Sequence, residues 1–417
     1  MSLGGPPEQQ LFLLPAANAA EASAWGAAVM EYAAAFPVVQ FARDPETVDW
    51  LSYQHVTLVR PGYWPEDLAL AIKQANPEVV IDRIPVDTPE ALQIILNVRV
   101  YYGWRYGPQT EFDWAQLWPY GKALIGLHGR SNGELQAADY AIVRTARVEA
   151  VKLTSHATPE TVKALREINP GVFILVRPLV AFNTDGVPRQ VSPQEFFDWT
   201  ILDLDRLLAY DPSIRYVEIH NEPNLTLEGL TGSWNNGYEF GVWFLDVLGR
   251  YRRRYPGLQF GFPGLSPGPT SPGQGRVAAK SFLAESAFAA QQADWVGLHA
   301  YWVSERELSD GSVGLSFTEY RRLFPEKLLF ITEFGNPNQP KAVVAEQYAR
   351  YYGLLRRVPG LGGAFAYVVS TSDPVESPRW GWRDEGGHDV GIAAEIGRRR
   401  FIFDDAPTGL SPAAPRT

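Results

Sequence analysis

The chain has 417 residues, 46% hydrophobic and 20% charged, with a formal net charge of −10; it is long enough for one large domain plus a smaller one, and the negative charge disfavours nucleic acid or an anionic membrane surface as partner. With no cysteine and six scattered histidines, disulfides and thiolate metal sites are excluded, and neither a metal nor another cofactor is expected. No run approaches the roughly 18 apolar residues of a membrane span, and the charge favours a neutral partner.

From 11 to 103, short apolar runs alternate with helical stretches. LFLLP, VVQFA, HVTLVRP and VVIDRIP read as strands, and 21–36, 46–51, 66–75 and 89–102 as helices. That alternation predicts a small α/β domain with a mostly parallel sheet. It carries no glycine-rich phosphate loop, so no nucleotide is expected there. The opening Met1-Ser2-Leu3-Gly4-Gly5 lacks the features of a signal peptide, which leaves the compartment open. A segment rich in aromatics and turn formers, 106–121, marks the domain boundary, giving an N-terminal domain and linker over 1–120, a second domain over 121–402 and a tail over 403–417.

Eight apolar runs follow, at 123–129, 148–155, 172–178, 216–223, 258–264, 294–302, 328–335 and 363–370. Helical patterns separate them at 134–147, 159–168, 193–210, 238–255, 278–292, 317–324 and 341–357, with a short closing helix at 393–399. Eight β-then-α units over about 280 residues predict a (β/α)8 TIM barrel. An open doubly wound sheet is the alternative. Most runs end in polar or aromatic residues: His128, Arg177, His220 to Glu222, His299 to Trp302, Glu333 and Ser370. Barrel active sites assemble at the C-terminal strand ends, so this placement favours the barrel.

Two of these ends carry glutamates. Tyr216-Val217-Glu218-Ile219-His220-Asn221-Glu222-Pro223 is an apolar strand running into a polar tip. Adjacent side chains of a regular strand face opposite ways, so Asn221 and Glu222 share a site only if the strand ends or bulges there. Pro223 is consistent with such an ending. In Leu328-Leu329-Phe330-Ile331-Thr332-Glu333, a carboxylate follows a hydrophobic run; at a buried strand end it must be paired, hydrogen-bonded or functional. For either glutamate alone, a structural salt bridge is an equally good reading.

Together they fall on the fourth and seventh strands, and here the chain resembles the clan A glycoside hydrolases, a (β/α)8 superfamily that includes many cellulases. The resemblance covers roughly 121–400 and rests on Asn221-Glu222-Pro223, Glu333 and strand order. It implies a retaining hydrolase acting on β-linked glycosides, with Glu222 as acid/base and Glu333 as nucleophile. On the sixth run His299 and Tyr301 share a face; in related barrels such a pair lies beside the nucleophile. Asn221 and Arg177 are candidates for binding hydroxyls of an oligo- or polysaccharide substrate, with His128 and Arg130 weaker, and Tyr367, Trp380 and Trp382 for a stacking platform. One departure stands out: many members carry an arginine at the end of strand two, where this chain reads Val151-Lys152-Leu153-Thr154. Either Lys152 or Arg177 takes its place, or the chain belongs to a divergent branch. A non-catalytic carbohydrate-binding barrel and a transglycosidase remain as alternatives.

Overall fold

A computed structural model describes residues 9–36, 38–65, 67–84, 86–102, 117–131, 134–356 and 358–399. The chain divides into two compact units, 1–113 and 114–417. Most of the expected boundary segment, 106–116, lies outside the described residues, as do the first residues and the tail at 403–417.

The first unit contains β1 (Gln10–Leu13), α1 (Ala19–Ala35), β2 (Val39–Ala42), β3 (His55–Val59), α2 (Leu68–Ala75), β4 (Val80–Ile84) and α3 (Pro89–Tyr102). All four strands run parallel, in the order β2-β1-β3-β4. A parallel sheet needs both faces covered. Period-two alternation supplies that: Phe12 joins Trp25, Val29, Tyr32, Leu92 and Leu96 on one face, while Leu11 and Leu13 join Val56, Leu58, Leu68 and Ile72 on the other. The helix expected at 46–51 does not form. Two 3-10 turns, Pro45–Thr47 and Trp50–Ser52, stand there instead. Asp44 and Asp49 accept hydrogen bonds from the Glu46 and Leu51 N–H groups, and such short side chains draw the local backbone out of a continuous helix.

The second unit is a closed barrel of eight parallel strands. In chain order it runs β5 (Leu124–His128), α4 (Ala137–Ala146), β6 (Ala150–Thr154), α5 (Pro159–Ile168), β7 (Phe173–Arg177), a two-stranded insert β8 (Asn183–Thr184) and β9 (Val187–Pro188), and α6 (Pro193–Tyr210). It continues with β10 (Tyr216–Glu218), α7 (Gly237–Arg254), β11 (Gln259–Phe262), α8 (Ala279–Ala290) and β12 (Trp295–Tyr301). It closes with α9 (Glu305–Leu308), α10 (Phe317–Leu323), β13 (Leu328–Gly335), α11 (Lys341–Leu355), β14 (Leu361–Ala366), α12 (Glu376–Trp380) and α13 (Ile392–Gly397). The chain is thus an α/β protein, a TIM barrel following a small α/β unit. Helix starts follow their local signals: Thr158 before Pro159 caps α5, and Ser192 with Glu195 forms a capping box on α6.

The interior is filled in layers. Near the N-terminal strand ends, Leu124, Ala150, Phe173, Leu175, Trp295, Leu328, Phe330 and Phe365 pack with Trp118. Phe173 stacks on Phe330 at 5.7 Å, and Trp118 meets both edge-on. The same strand parity, carried two or four residues further, brings His128, Lys152, Arg177, Glu218 and His299 into the barrel above this plug.

Candidate active site

β10 ends at Glu218, and the chain then leaves regular strand geometry. His220 and Glu222 adopt left-handed backbone, φ 77° and 39°, a conformation that costs non-glycine residues energy and clusters at functional sites. The Glu222 N–H donates to the Gly264 carbonyl at 3.0 Å, pinning the turn to the fifth strand's end. Asn221 and Glu222 therefore reach the barrel mouth together because the strand has stopped.

Glu333 reaches the same space by another route. On β13 the register with β12 slips by one residue between Leu298 and His299, so that His299 lies opposite Glu333. A bulge of this kind re-aims a side chain. His299 Nδ1 then donates to Glu222 Oε1 at 2.9 Å and stands 3.7 Å from Glu333 Oε2. One atom from each of Glu222, His299 and Glu333 lies within 4.8 Å of the others. Gly264 makes room for the imidazole, since a Cβ there would sit 2.2 Å from His299 Cδ2.

Glu333 is only 5% exposed and is surrounded by donors and positive charge. The Tyr301 hydroxyl donates to Oε2 at 2.7 Å, and Lys152 Nζ donates to Oε1 at 3.1 Å. Arg177 Nη1 lies 3.9 Å from Oε1, and His128 Nε2 lies 3.6 Å away. Burial by itself pushes the carboxyl up; the fields of His299, Lys152, His128 and Arg177 outweigh it and hold Glu333 well below the ordinary range. His128 adds little to that field at neutral pH, because burial depresses it to about 3. Burial also opposes the His299 cation, yet Glu333 and Glu222 together raise its pKa above the usual value. Of the two residues expected in place of the strand-two arginine, Lys152 stands 3.1 Å and Arg177 3.9 Å from Glu333 Oε1.

Several buried donors and acceptors in this region are without a hydrogen-bond partner. His128 bonds the Gly129 carbonyl through Nδ1 at 2.9 Å, which leaves Nε2 bare. Arg177 makes no side-chain hydrogen bond among the described residues, and its buried Nε is unpartnered. Asn221 donates through Nδ2 to Glu228 Oε1 at 3.1 Å and leaves Oδ1 free. Arg130 forms no hydrogen bond or ion pair with this cluster among the described residues. Trp380, half-buried, packs edge-on against Tyr301 at 5.2 Å and Tyr367 at 5.6 Å. Trp382 is different: it is fully buried and packs near Tyr348, so its ring has no open face and the expectation of a platform there is corrected.

Two residues of the cluster were not anticipated. Glu218 is fully buried and lies 2.7 Å from Lys152 Nζ; its parity with Tyr216 inside an apolar strand was the available signal. Glu228, on a 3-10 turn after β10, is pushed up to about 7 by burial, with the charges of Glu222 and Glu333 adding to the effect against Arg177 and the Asn221 hydrogen bond. It sits in an aperiodic loop, where spacing carries no information. The Tyr367–Val368 peptide at the end of the eighth strand is cis.

No family model and no curated protein sequence matches this chain. Solved structures similar to it include the β-D-glucuronidase of Dictyoglomus thermophilum, 13% identical over 67% of this chain and 50% of that one, TM-score 0.44. An endo-β-1,3-glucanase from Amycolatopsis mediterranei is 12% identical over 66% of this chain and 98% of that one, TM-score 0.43. A β-galacturonidase from Eisenbergiella tayi is 12% identical over 67% and 50%, TM-score 0.46. These structural neighbours are glycoside hydrolases, and this chain spans about half the length of the glucuronidase and the galacturonidase. Among the described residues no helix is long and apolar enough to cross a membrane.

Proposed function

We propose that the chain is a retaining glycoside hydrolase of the clan A type, cleaving β-linked glycosides with Glu222 as acid/base and Glu333 as nucleophile. The observation that carries the reading is the spacing of the two carboxyl groups: one oxygen of each lies within 4.8 Å of the other and of a His299 ring nitrogen. Retaining enzymes hold the pair about 5 to 5.5 Å apart, whereas inverting ones open it to about 6.5 to 9.5 Å to admit a water. The same three residues would also suit a metal ion by distance alone. Lys152 and Arg177, 3.1 and 3.9 Å from Glu333, already supply the positive charge there and oppose a second cation.

In the first step a Glu333 oxygen attacks the anomeric carbon. The bond to the leaving oxygen breaks, and that oxygen takes the proton from Glu222. In the second, Glu222 as carboxylate removes a proton from water, the water oxygen attacks the anomeric carbon, and the ester to Glu333 breaks. Lys152, Arg177 and Tyr301 favour ionised Glu333 as attacking and departing group. His299 orients Glu222 through its 2.9 Å hydrogen bond. Asn221, His128 and Arg177 offer unpaired polar atoms to sugar hydroxyls, and Trp380 offers a ring face at the rim.

The test is a panel of aryl β-glycosides with the anomer of the first product read by NMR. Turnover with retention is expected, and Glu333→Gln should abolish it while the protein stays folded. Inversion, or undiminished activity of the folded variant, overturns the reading. Glycan binding without turnover assigns the non-catalytic alternative, and transfer to excess acceptor sugar in place of hydrolysis assigns the transglycosidase.

A further inference from the structure

Lys152 stands between two carboxylates rather than against one. Its Nζ lies 2.7 Å from Glu218 Oε2 and 3.1 Å from Glu333 Oε1, and the side chains of Lys152 and Glu218 are fully buried. Glu218 is built into place from its other side. The Gly264 N–H donates to Oε1 at 3.1 Å, and at Gly297 an added Cβ would stand 3.0 Å from the same oxygen. Burial opposes the charged carboxylate, but Lys152 and His299 outweigh it and hold Glu218 below its ordinary range.

Double displacement imposes a charge problem on this arrangement. In the resting protein the ammonium faces two negative groups, and in the covalent intermediate Glu333 has become a neutral ester. If Glu333 were the only counter-ion, each turnover would strand a bare ammonium in the barrel, and an uncompensated buried charge is costly. Glu218, too deep to act on the sugar, stays ionised through the cycle.

We propose that Glu218 is the standing counter-ion of Lys152, a positioning residue that keeps the ammonium compensated while Glu333 is esterified and so favours formation of the glycosyl-enzyme. The inference rests on the retaining reading above. Its signature is that the two half-reactions respond oppositely. With Glu218→Gln, the resting Lys152–Glu333 pair is neutral but the intermediate carries an unpaired positive charge. Formation of the ester is slowed, and its breakdown, which restores the Glu333 carboxylate, is hastened. Loss of packing alone would slow both.

The experiment uses the full chain and 2,4-dinitrophenyl 2-deoxy-2-fluoro-β-glycosides of hexoses, pentoses and hexuronic acids, which separate the half-reactions: labelling is followed by intact mass and reactivation by return of activity. Glu218→Gln should be labelled about 100-fold more slowly than the unaltered chain and, once labelled, reactivate faster. As a second arm, Lys152→Met combined with Glu218→Gln should label faster than Lys152→Met alone, because the double change removes the orphaned carboxylate; this arm stands even if the single Glu218 variant fails to fold. Equal slowing of both half-reactions, or a double variant no faster than Lys152→Met, overturns the inference. If the unaltered chain turns over no glycoside and is never labelled at Glu333, the retaining reading itself falls and the inference with it. Labelling at Glu333 with an indifferent Glu218→Gln variant sinks the inference alone.

Discussion

Lys152→Met removes the ammonium 3.1 Å from Glu333 Oε1 and keeps an unbranched stem in the same space. At an effective dielectric constant of about 20, unit charges at that separation attract by about 5 kcal/mol. Not all of this is lost, because Arg177 at 3.9 Å and His299 at 3.7 Å remain beside the carboxylate. If about half is felt as weaker ionisation of Glu333, kcat/KM falls by up to about 100-fold on the acidic side of its profile. The pH dependence has a definite sign. Without the ammonium the charged form of Glu333 is less favoured, and Glu218, deprived of its partner, repels it further. The proton therefore leaves Glu333 at higher pH, and the acidic limb of the kcat/KM profile moves up. The deficit should be largest in acid and shrink as pH rises. Profiles measured on the unaltered chain and the variant decide the matter: a loss uniform across pH, or an acidic limb that stays or moves down, refutes Lys152 as the group that keeps Glu333 charged.

Tyr301→Phe deletes the hydroxyl donating to Glu333 at 2.7 Å while keeping the ring against Trp380; kcat/KM should drop about 10- to 100-fold with the melting temperature nearly unchanged, and unaltered kinetics would show that the hydroxyl is not used. Glu228 takes up its proton at about 7 in the folded state against 4.5 for an unperturbed glutamate. Between those values the native chain binds more protons than the unfolded one, so its stability declines as pH rises through the window and then levels off. Glu228→Gln cannot ionise, so the melting-temperature difference should widen in the variant's favour from about pH 4.5 to about pH 7; a flat or narrowing difference removes Glu228 as the source.

The alternation of strands and helices was legible because each element carries its own local cause. Helix α5 begins at Pro159 behind a Thr158 cap, and α6 at Pro193 behind Ser192 and Glu195; both match the spans expected from sequence. Strand parity placed His299 and Tyr301 on one face, and both stand beside Glu333. Where local signals conflicted, prediction failed: an apparently helical 46–51 became two capped turns, and Trp382, indistinguishable by spacing from Trp380, proved to be core.

What the sequence determined by itself is the barrel and the end at which its polar residues gather, since both follow from periods of 2 and 3.6 repeated along the chain. Which of those residues touch was decided only by closure. Lys152 and Glu333 are 181 positions apart and meet at 3.1 Å, on strands that are not neighbours in the sheet order. Their contact depends on barrel diameter, on stagger and on the one-residue slip opposite His299. No local pattern encodes a distance across an interior. A lysine that reads as one polar residue in an apolar run becomes, once the barrel shuts, the charge that two carboxylates share.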